Sequence, residues 1–385
     1  MVKPRTHDWS EMNKDILSLI IKRINKPSDH IRISGVCSSW RSIAKYNRYT
    51  LSHPIPGLII TISRKTHHRK FINFPPSDQH YHNINVPCSH RCRGSYYGWL
   101  VLTVDNHSSS NSIYLLNPFI KRRRWLPRIS ENVEKALLSS SPSFDSKCVV
   151  LILYEVQGAA FCRVGDVSWT KLHFLSCEDE CGFSDGFFFK GGFYVVNDYG
   201  KIYTCNLDRC LIKEISSQPS DVSKFVRQKY YLVEIKGELC RVLRRFQFNE
   251  AFYYENASDD EDIYDNAPYV DPSISTREFR VCKMDSGIGK WVEVYGLGEY
   301  ALFLGMTNSI CLSLLEVSHS GIEGNKIYFT DDRQRNVKDF GFIRPGNDMG
   351  VYDMDYSGIK SICWMQPNWL KTSDPSAVWV APLPW

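Results

Sequence analysis

Groups of four short strand-like runs recur along most of this chain, and they restrict the folds that are open to it. One group reads GFFFK, GGFYVVND, GKIYTCNL and LIKEI, over about residues 182–215. A second reads KYYLVEI, GELCRVLRR, TREFRVCKMD and KWVEV, over about residues 229–294. Gly, Asn, Asp and Ser separate the runs, and this pattern predicts four strands joined by hairpins in each group.

Three further stretches look like partial copies of the same unit. They are SYYGWLVLTVD with SIYLLNP and RRWLP, CVVLILYE with AAFCRVGD and SWTKLHF, and YALFLG with SICLS, KIYFTDD and GVYDMD. Four-stranded units repeated in this way predict a β-propeller, because a closed ring protects the sheet edges. We count about five units, and six or seven remain open if some blades are degenerate. GLIITIS and AVWVAPLPW are candidates for the strands that close the ring. A β-sandwich is the alternative.

Composition agrees with a large folded domain plus a small one. The chain has 385 residues, of which 43% are hydrophobic and 13% aromatic, as in a globular protein. The net charge of +5 is modest, and Lys and Arg are not concentrated along an aromatic-rich face. We therefore expect no nucleic-acid partner.

The cysteines indicate a reducing compartment. There are 13 of them, scattered through apparent strands, where a free thiol behaves as a small hydrophobe. The opening MVKPRTHDWS lacks the apolar core of a signal peptide. No apolar run approaches the roughly 18–20 residues needed to cross a bilayer. We expect a soluble, intracellular protein without a membrane partner, in the nucleus, the cytoplasm or both.

The first fifty residues follow a helical period instead. Leu17, Ile20, Ile21 and Ile24 recur at helical spacing, with Ser10 or Asn13 as the possible N-cap. A second helix follows, with Asp29 as its candidate N-cap and Ile33, Val36, Trp40 and Ile43 in its apolar stripe. So short a segment cannot bury this much apolar surface alone. Either the helices cap the large domain, or part of their surface binds a partner.

The order of these residues resembles an F-box, whose usual form is a Trp, a Leu-Pro pair, an aliphatic helix and a closing Val-Cys-x-x-Trp-Arg. The residues at matching places are Trp9, Ile16, Leu17, Ile20, Ile24, Val36, Cys37, Trp40 and Arg41. Met12-Asn13 stands where the family prefers Leu-Pro, a departure that could weaken adaptor affinity. The resemblance implies that this surface, with Met12 included, binds a Skp-type adaptor and through it a cullin-RING ubiquitin ligase.

The rest of the chain resembles the plant F-box proteins of the KIB type, which carry domain of unknown function 295. GSYYGWLVL, IYLLNPF, YLVEIKGELCRVLRR, NKIYFTDD and WVAPLPW match in order. The resemblance implies an F-box at residues 5–50 and a propeller-like substrate-recognition domain at residues 51–385. It implies a non-catalytic receptor subunit that binds an unidentified target protein. A binding module that sequesters its target without ligase assembly remains the alternative. A propeller enzyme or small-ligand receptor that uses the central channel is a third hypothesis.

Two clusters of His and Cys residues are candidates for a metal site. His67, His68, His80, His82, Cys88, His90 and Cys92 lie close together in sequence, and imidazole and thiolate are preferred zinc ligands. No second Cys pair follows at finger-like spacing, so we interpret residues 67–92 as a polar loop between strands. Cys177 and Cys181 in SCEDEC do not indicate a metal site either. We predict no metal and no cofactor.

Two charged runs and one carboxylate pair complete the candidates. Residues 121–125, KRRRW, match a nuclear import patch, although we place their charges on a blade face. The acidic run from Glu255 to Ala267 is interpreted as a solvated loop or a contact for a basic partner. Asp331 and Asp332 are adjacent on an apparent strand and face opposite sides, so turn chemistry explains them better than catalysis. No known catalytic motif is present.

Overall fold

The computed structural model describes residues 9–23, 32–33, 35–47, 55–61, 68–74, 81–104, 111–143, 145, 147–154, 158–175, 182–216, 228–247, 275–285, 290–315, 321–331, 348–361 and 377–382. A short 3-10 helix spans Trp9–Glu11, α1 spans Lys14–Lys22 and α2 spans Ser38–Asn47. Residues 32–33 are also helical, and all other regular elements among the described residues are strands. None of the described helices is long and apolar enough to span a bilayer.

The strands form six units, numbered along the chain. Unit 1 contains β1 (Gly57–Ile60), β2 (His68–Asn73), β3 (Tyr81–Pro87) and β25 (Val378–Val380). Unit 2 contains β4 (Arg91–Tyr96), β5 (Trp99–Val104), β6 (Ser112–Asn117) and β7 (Arg122–Trp125). Unit 3 contains β8 (Val133–Leu138), β9 (Val149–Tyr154), β10 (Gly158–Arg163) and β11 (Thr170–Phe174).

The remaining three units follow in the same way. Unit 4 contains β12 (Phe183–Phe189), β13 (Gly192–Asn197), β14 (Ile202–Asn206) and β15 (Leu211–Ser216). Unit 5 contains β16 (Gln228–Ile235), β17 (Glu238–Gln247), β18 (Ser275–Asp285) and β19 (Lys290–Val294). Unit 6 contains β20 (Tyr300–Leu304), β21 (Ile310–Ser313), β22 (Lys326–Phe329), β23 (Gly350–Asp353) and β24 (Gly358–Ser361).

Three units depart from a separate four-stranded meander. A short parallel pairing of β11 with β15 joins units 3 and 4 into one eight-stranded sheet. In unit 6, β20 pairs with β21 on one side and runs parallel to β22 on the other, so the strand order is β21-β20-β22-β23-β24. The two complete groups seen in the sequence, now β12–β15 and β16–β19, are antiparallel meanders as predicted.

The inner strands of each sheet are buried on both faces, because alternate residues of a strand enter two different cores. In β5, Trp99 and Val101 pack toward unit 3, whereas Leu100 and Leu102 pack toward unit 1. Six hydrophobic clusters join the six units pairwise, and the last cluster joins unit 6 back to unit 1. The predicted fold class, a small helical segment followed by a β-propeller-like domain, is confirmed. The β-sandwich alternative is not the fold.

The two ends of the ring-shaped domain meet in unit 1. β25 pairs antiparallel with β1, so that Leu58 lies opposite Trp379. Trp379 is fully buried, and its ring lies edge-on to Phe74 and Phe303 at centroid distances of 5.2 and 5.0 Å. The prediction that GLIITIS and AVWVAPLPW close the ring is therefore confirmed.

The strands nearest the centre of the ring approach each other closely. β4 contacts both β25 and β8, and the contacts continue through β12 and β16 to β21. At Gly94 in β4, an added Cβ atom would lie 1.9 Å from the carbonyl oxygen of Ala136 in β8. Only glycine allows this separation of the two backbones.

Two-residue turns shape one end of the ring. The β4–β5, β12–β13 and β16–β17 hairpins turn at Tyr97-Gly98, Lys190-Gly191 and Lys236-Gly237. Both residues of each turn have positive φ, between 45° and 84°, as a type I′ hairpin turn requires. The hairpins consequently end without long loops beside the central channel.

The structure corrects two interpretations of the sequence. The segment interpreted as a polar loop contains β2 and β3, of which β2 pairs with β1. The strand pattern was missed because the outward-facing residues, such as His68 and His82, are polar and Arg69 is buried. β8 was also missed, because Lys135 interrupts its apolar run.

A buried arginine links units 5 and 6. Arg244 in β17 donates to Thr276 Oγ1 at 2.8 Å and to the Thr330 carbonyl oxygen at 2.9 Å. It also forms an ion pair with Asp348 at 3.0 Å, and its guanidinium lies 4.7 Å from the centre of the Phe329 ring. Since the partners lie in both units, the arginine holds the two sheets in register.

Loss of the closing tryptophan should destabilise the whole ring. We expect Trp379→Ala to lower the free energy of unfolding by about 3–5 kcal/mol, because it leaves a large cavity where the two ends of the domain meet. Trp125→Ala is the matched control, since Trp125 lies exposed on the edge strand β7. Chemical denaturation of both variants measures the difference, and equal losses would contradict this role of Trp379.

The neighbouring arginines Arg244 and Arg245 should differ in the same assay. Arg244→Ala leaves the Asp348 carboxylate buried without its counter-ion, and we expect it to cost about 3–5 kcal/mol. Arg245 pairs with Glu278 at 2.8 Å in a partly exposed position, so Arg245→Ala should cost less than about 1 kcal/mol. A mild effect at Arg244 would show that the buried pair does not hold the two units together.

Candidate adaptor-binding surface and central channel

The N-terminal helices pack mainly on each other. Leu17 and Ile21 of α1 meet Ile43 and Ala44 of α2 in a buried cluster. Met12, Ile33 and Trp40 pack at its edge, so every described member of the cluster comes from the helical segment. Two short helices thus share one small core of their own.

Local hydrogen bonds fix the helix ends. Asn13 caps α1, and its Oδ1 accepts a hydrogen bond from the Asp15 backbone N–H at 2.8 Å, as an N-cap asparagine does. Trp40 Nε1 donates to the Trp9 carbonyl oxygen at 2.9 Å and ties the two ends of the segment together. Asn13, at the position where the F-box usually has proline, therefore has a structural role in starting the helix.

A large apolar surface of this segment stays uncovered. Trp9, Ile16, Leu19, Ile20 and Val36 are between 41% and 65% exposed. Ile16, Leu19 and Ile20 stand three and four positions apart in α1 and so share one face of the helix; we call these three residues the α1 face. Exposed aliphatic residues grouped in this way mark a protein-binding surface.

The predicted adaptor-binding residues divide into three groups. Trp9, Ile16, Ile20, Val36 and Arg41 are exposed, whereas Met12, Cys37 and Trp40 are half-buried, and Cys37 Sγ accepts a hydrogen bond from the Trp40 backbone N–H. Leu17 is fully buried between the helices. Its side chain points into the helical core, and its role as an adaptor contact stays a prediction. Ile24, Pro27 and Asp29 lie outside the described residues.

Leu19 belongs to the surface but was not predicted. It is exposed and lies three residues after Ile16, on the α1 face. Helical spacing from Ile16 and Ile20 predicts that Leu19 lies on the same face, whereas the family pattern includes Leu17 instead. Burial separates the two leucines, and burial depends on where α2 packs.

The centre of the ring is crossed by a buried ion pair. Lys135 Nζ in β8 lies 2.5 Å from Asp185 Oδ1 in β12 and donates to the Thr307 carbonyl oxygen at 3.0 Å. Asp185 Oδ2 accepts from the Leu232 backbone N–H of β16 at 2.9 Å. Because units 3 and 6 are opposite each other in a ring of six, the Lys135 side chain spans the channel. The pair thus joins four units.

The His and Cys residues weighed as a candidate metal site lie apart in the structure. His68 and His82 lie on β2 and β3, and Cys92 points into the core between units 1 and 2. His90 Nδ1 lies 2.5 Å from the Tyr114 hydroxyl. No group of three potential ligands close enough to hold a metal ion occurs among the residues that the structure describes. His67, His80, Cys177 and Cys181 lie outside them.

The buried thiols are poor nucleophiles. Burial raises the pKa of Cys92 to about 11 and that of Cys205 to about 12. Burial likewise raises the pKa of Cys162 and Cys240 to about 12. A thiol must be ionised to attack a substrate or bind a metal, so these cysteines act as small core residues. None of the ten described cysteines forms a disulfide with another described residue.

The basic segment and Asp331 lie on different parts of the ring-shaped domain. Arg122–Trp125 forms the exposed strand β7, and Arg123 lies 4.9 Å from the centre of the Tyr114 ring. Nuclear import through this segment stays a prediction. Asp331 is buried after β22, whereas Asp332 and the acidic run 255–267 lie outside the described residues.

Comparison with known protein families shows which family the chain belongs to. A model described as the KIB1-4 beta-propeller matches residues 71–353. The chain belongs to the KIB1-4 beta-propeller family. A model of the F-box domain matches residues 9–51, which include both helices and the α1 face. Both resemblances inferred from the sequence are therefore confirmed, whereas the exact boundary at residues 50 and 51 stays a prediction.

Relatives share this arrangement over nearly their whole length. F-box protein At2g26160 of Arabidopsis thaliana is 26% identical over 369 residues, covering 88% of this chain and 98% of the relative. F-box protein SKIP23 of the same plant is 22% identical and covers 97% and 95%. An F-box followed by a propeller is typical of a non-catalytic receptor subunit, and this combination supports a role of the substrate-receptor type.

Solved structures show more distant likeness. TolB from Acinetobacter baumannii superposes with a TM-score of 0.43 at 9% identity, covering 90% of this chain and 73% of that chain. A likeness of this size carries no functional conclusion.

Leu17 and Leu19 should separate packing from binding. We expect Leu17→Ala to destabilise the helical pair by about 2–5 kcal/mol, because it empties the core between α1 and α2. Leu19→Ala on the same helix should cost less than about 0.5 kcal/mol. Hydrogen exchange of the α1 backbone amides in the full chain measures the stability of the helical pair in both variants. Faster exchange in Leu19→Ala than in Leu17→Ala would contradict the assignment.

Proposed function

We propose that this protein is the substrate-recognition subunit of an SCF-type ubiquitin ligase. In this role the helical segment binds a Skp-type adaptor, which connects it to a cullin-RING ligase, and the ring-shaped domain binds the target protein. The subunit performs no chemistry itself. It holds a target lysine near a ubiquitin-charged enzyme, and the gain in rate comes from effective concentration and orientation. We propose the nucleus, the cytoplasm or both as its location.

The observation that carries the proposal is the α1 face on a segment that matches the F-box domain. Ile16, Leu19 and Ile20 remain exposed although the helices already have a shared core. Complete burial of an aliphatic side chain of this size is worth about 1.5–3 kcal/mol. Covering this face with an adaptor would therefore supply a substantial part of a binding free energy.

The adaptor test removes this face without removing the helix. The variant Ile16→Ala/Leu19→Ala/Ile20→Ala keeps helix-favouring residues at exposed positions. We expect its affinity for a purified Skp-type adaptor to fall roughly 100-fold, as three contacts worth about 1 kcal/mol each would predict. Co-purification and calorimetry with the full chain provide the measurement.

Val167→Ala is the control, because Val167 is almost wholly exposed between β10 and β11. It should bind the adaptor as the unchanged chain does. If the triple variant also binds normally, the α1 face is not the adaptor site. If the unchanged chain binds no adaptor but retains its target, sequestration without ligase assembly replaces the ligase proposal. The Met12-Asn13 departure from Leu-Pro is the feature that favours this second function.

A further inference from the structure

A cavity opens at the end of the channel formed by the two-residue hairpin turns. Its volume is about 300 Å³, and five of the six units contribute to its lining. This volume lies at the lower end of the range for small-ligand pockets and is ample for one large side chain. The cavity is separate from the α1 face and from the Lys135–Asp185 pair.

Aromatic rings form much of its wall. They are Tyr96, Tyr97, Phe187, Phe188 and Tyr300, from units 2, 4 and 6. The Tyr96 and Tyr97 rings meet edge to face with centroids 4.6 Å apart. Burial raises the pKa of Tyr96 to about 12, and burial together with the Glu234 carboxylate raises the pKa of Tyr97. Both phenols are therefore neutral at physiological pH, and their ring faces attract cations.

Two buried polar atoms in the lining lack a partner. Asn308 Oδ1 and Ser309 Oγ have no hydrogen-bond partner among the described residues, although their residues are only 7% and 5% exposed. Such groups are costly to bury unpaired. An amide oxygen only accepts hydrogen bonds, so the ligand that satisfies Asn308 must supply a donor.

The charges at the cavity favour a positive ligand. Glu234 in β16 is exposed and lines the cavity, and its carboxylate forms no ion pair with another described residue. Lys236 lies two residues later, but its ammonium group lies over the Tyr300 ring, 5.0 Å from the centroid. The cavity thus has an uncommitted carboxylate, whereas its lysine already has a partner.

We propose that this cavity binds an arginine side chain of the target protein, an inference that rests on the receptor function proposed above. The guanidinium group has five N–H donors and no acceptor, stacks on aromatic rings and carries a permanent positive charge. It would donate to Asn308 and Ser309, pair with Glu234 and lie against the tyrosine rings. An acidic side chain would meet the Glu234 carboxylate and an amide oxygen that it cannot satisfy.

The test titrates the full chain with small probes by saturation-transfer difference NMR. The probes are the N-acetyl methylamides of arginine, citrulline and glutamate. Citrulline has nearly the shape of arginine without its charge. We expect arginine to bind at least about tenfold more tightly than citrulline, since the charge-assisted contacts and the cation–π contacts are lost together.

Two substitutions in one hairpin give opposite expectations. Glu234→Gln keeps the shape of the side chain and should weaken arginine binding about tenfold. Lys236→Asn should leave arginine binding unchanged or tighter, and asparagine tolerates the positive φ of 52° at this turn position. Equal affinity for arginine and citrulline, no effect of Glu234→Gln, or tighter binding of glutamate would each overturn the proposal.

Adaptor binding distinguishes this proposal from the one on which it rests. The triple alanine variant of the α1 face should bind the arginine probe normally, and Glu234→Gln should bind the adaptor normally. If the unchanged chain selects arginine but binds no adaptor, the ligase role is overturned and the arginine cavity remains. Loss of arginine selectivity alone would overturn the cavity assignment and leave the ligase role.

Discussion

The structure depends on strands that bury both faces. A unit with two apolar faces needs a neighbour on each side, and six such units satisfy this need only when the last packs against the first. The pairing of β25 with β1 provides that contact, because it builds unit 1 from both ends of the domain. Trp379 lies in the core where units 6 and 1 meet. The ring, its channel and the cavity all require this closure.

Closure also explains why charged side chains are tolerated deep in the domain. The inner strands approach so closely that Lys135 and Asp185 are almost fully enclosed, and each has a partner from another unit. Arg244 has the same kind of environment between units 5 and 6. Buried charges with several partners select one arrangement of the sheets, because any shift would leave a charge unpaired. A rigid ring of this kind gives its rim a fixed geometry.

The helical segment and the ring present separate binding surfaces. The helices have a small core of their own and leave the α1 face uncovered. The ring offers a cavity lined by aromatic residues, with unsatisfied acceptors inside it. A receptor subunit needs two such surfaces, since it must contact the ligase assembly and the target at the same time. In the proposed function, adaptor binding and target binding use different residues, so that each can be altered alone.

Much of the fold follows from the sequence alone. The hairpin groups at residues 182–215 and 229–294, the closing strands and the helical pair with its Asn13 cap are all local patterns, and periodicity and turn chemistry determine them. Other features depended on contacts between distant residues. The polar segment β2 is a strand because it pairs with β1, and β3 is a strand because it pairs with β2. The parallel pairing of β20 with β22 has no local signal. Leu17 and Leu19 look alike in sequence, but only the packing of α2 buries one and exposes the other. The cavity, too, exists only in the folded chain, because its residues come from five units that the ring brings together.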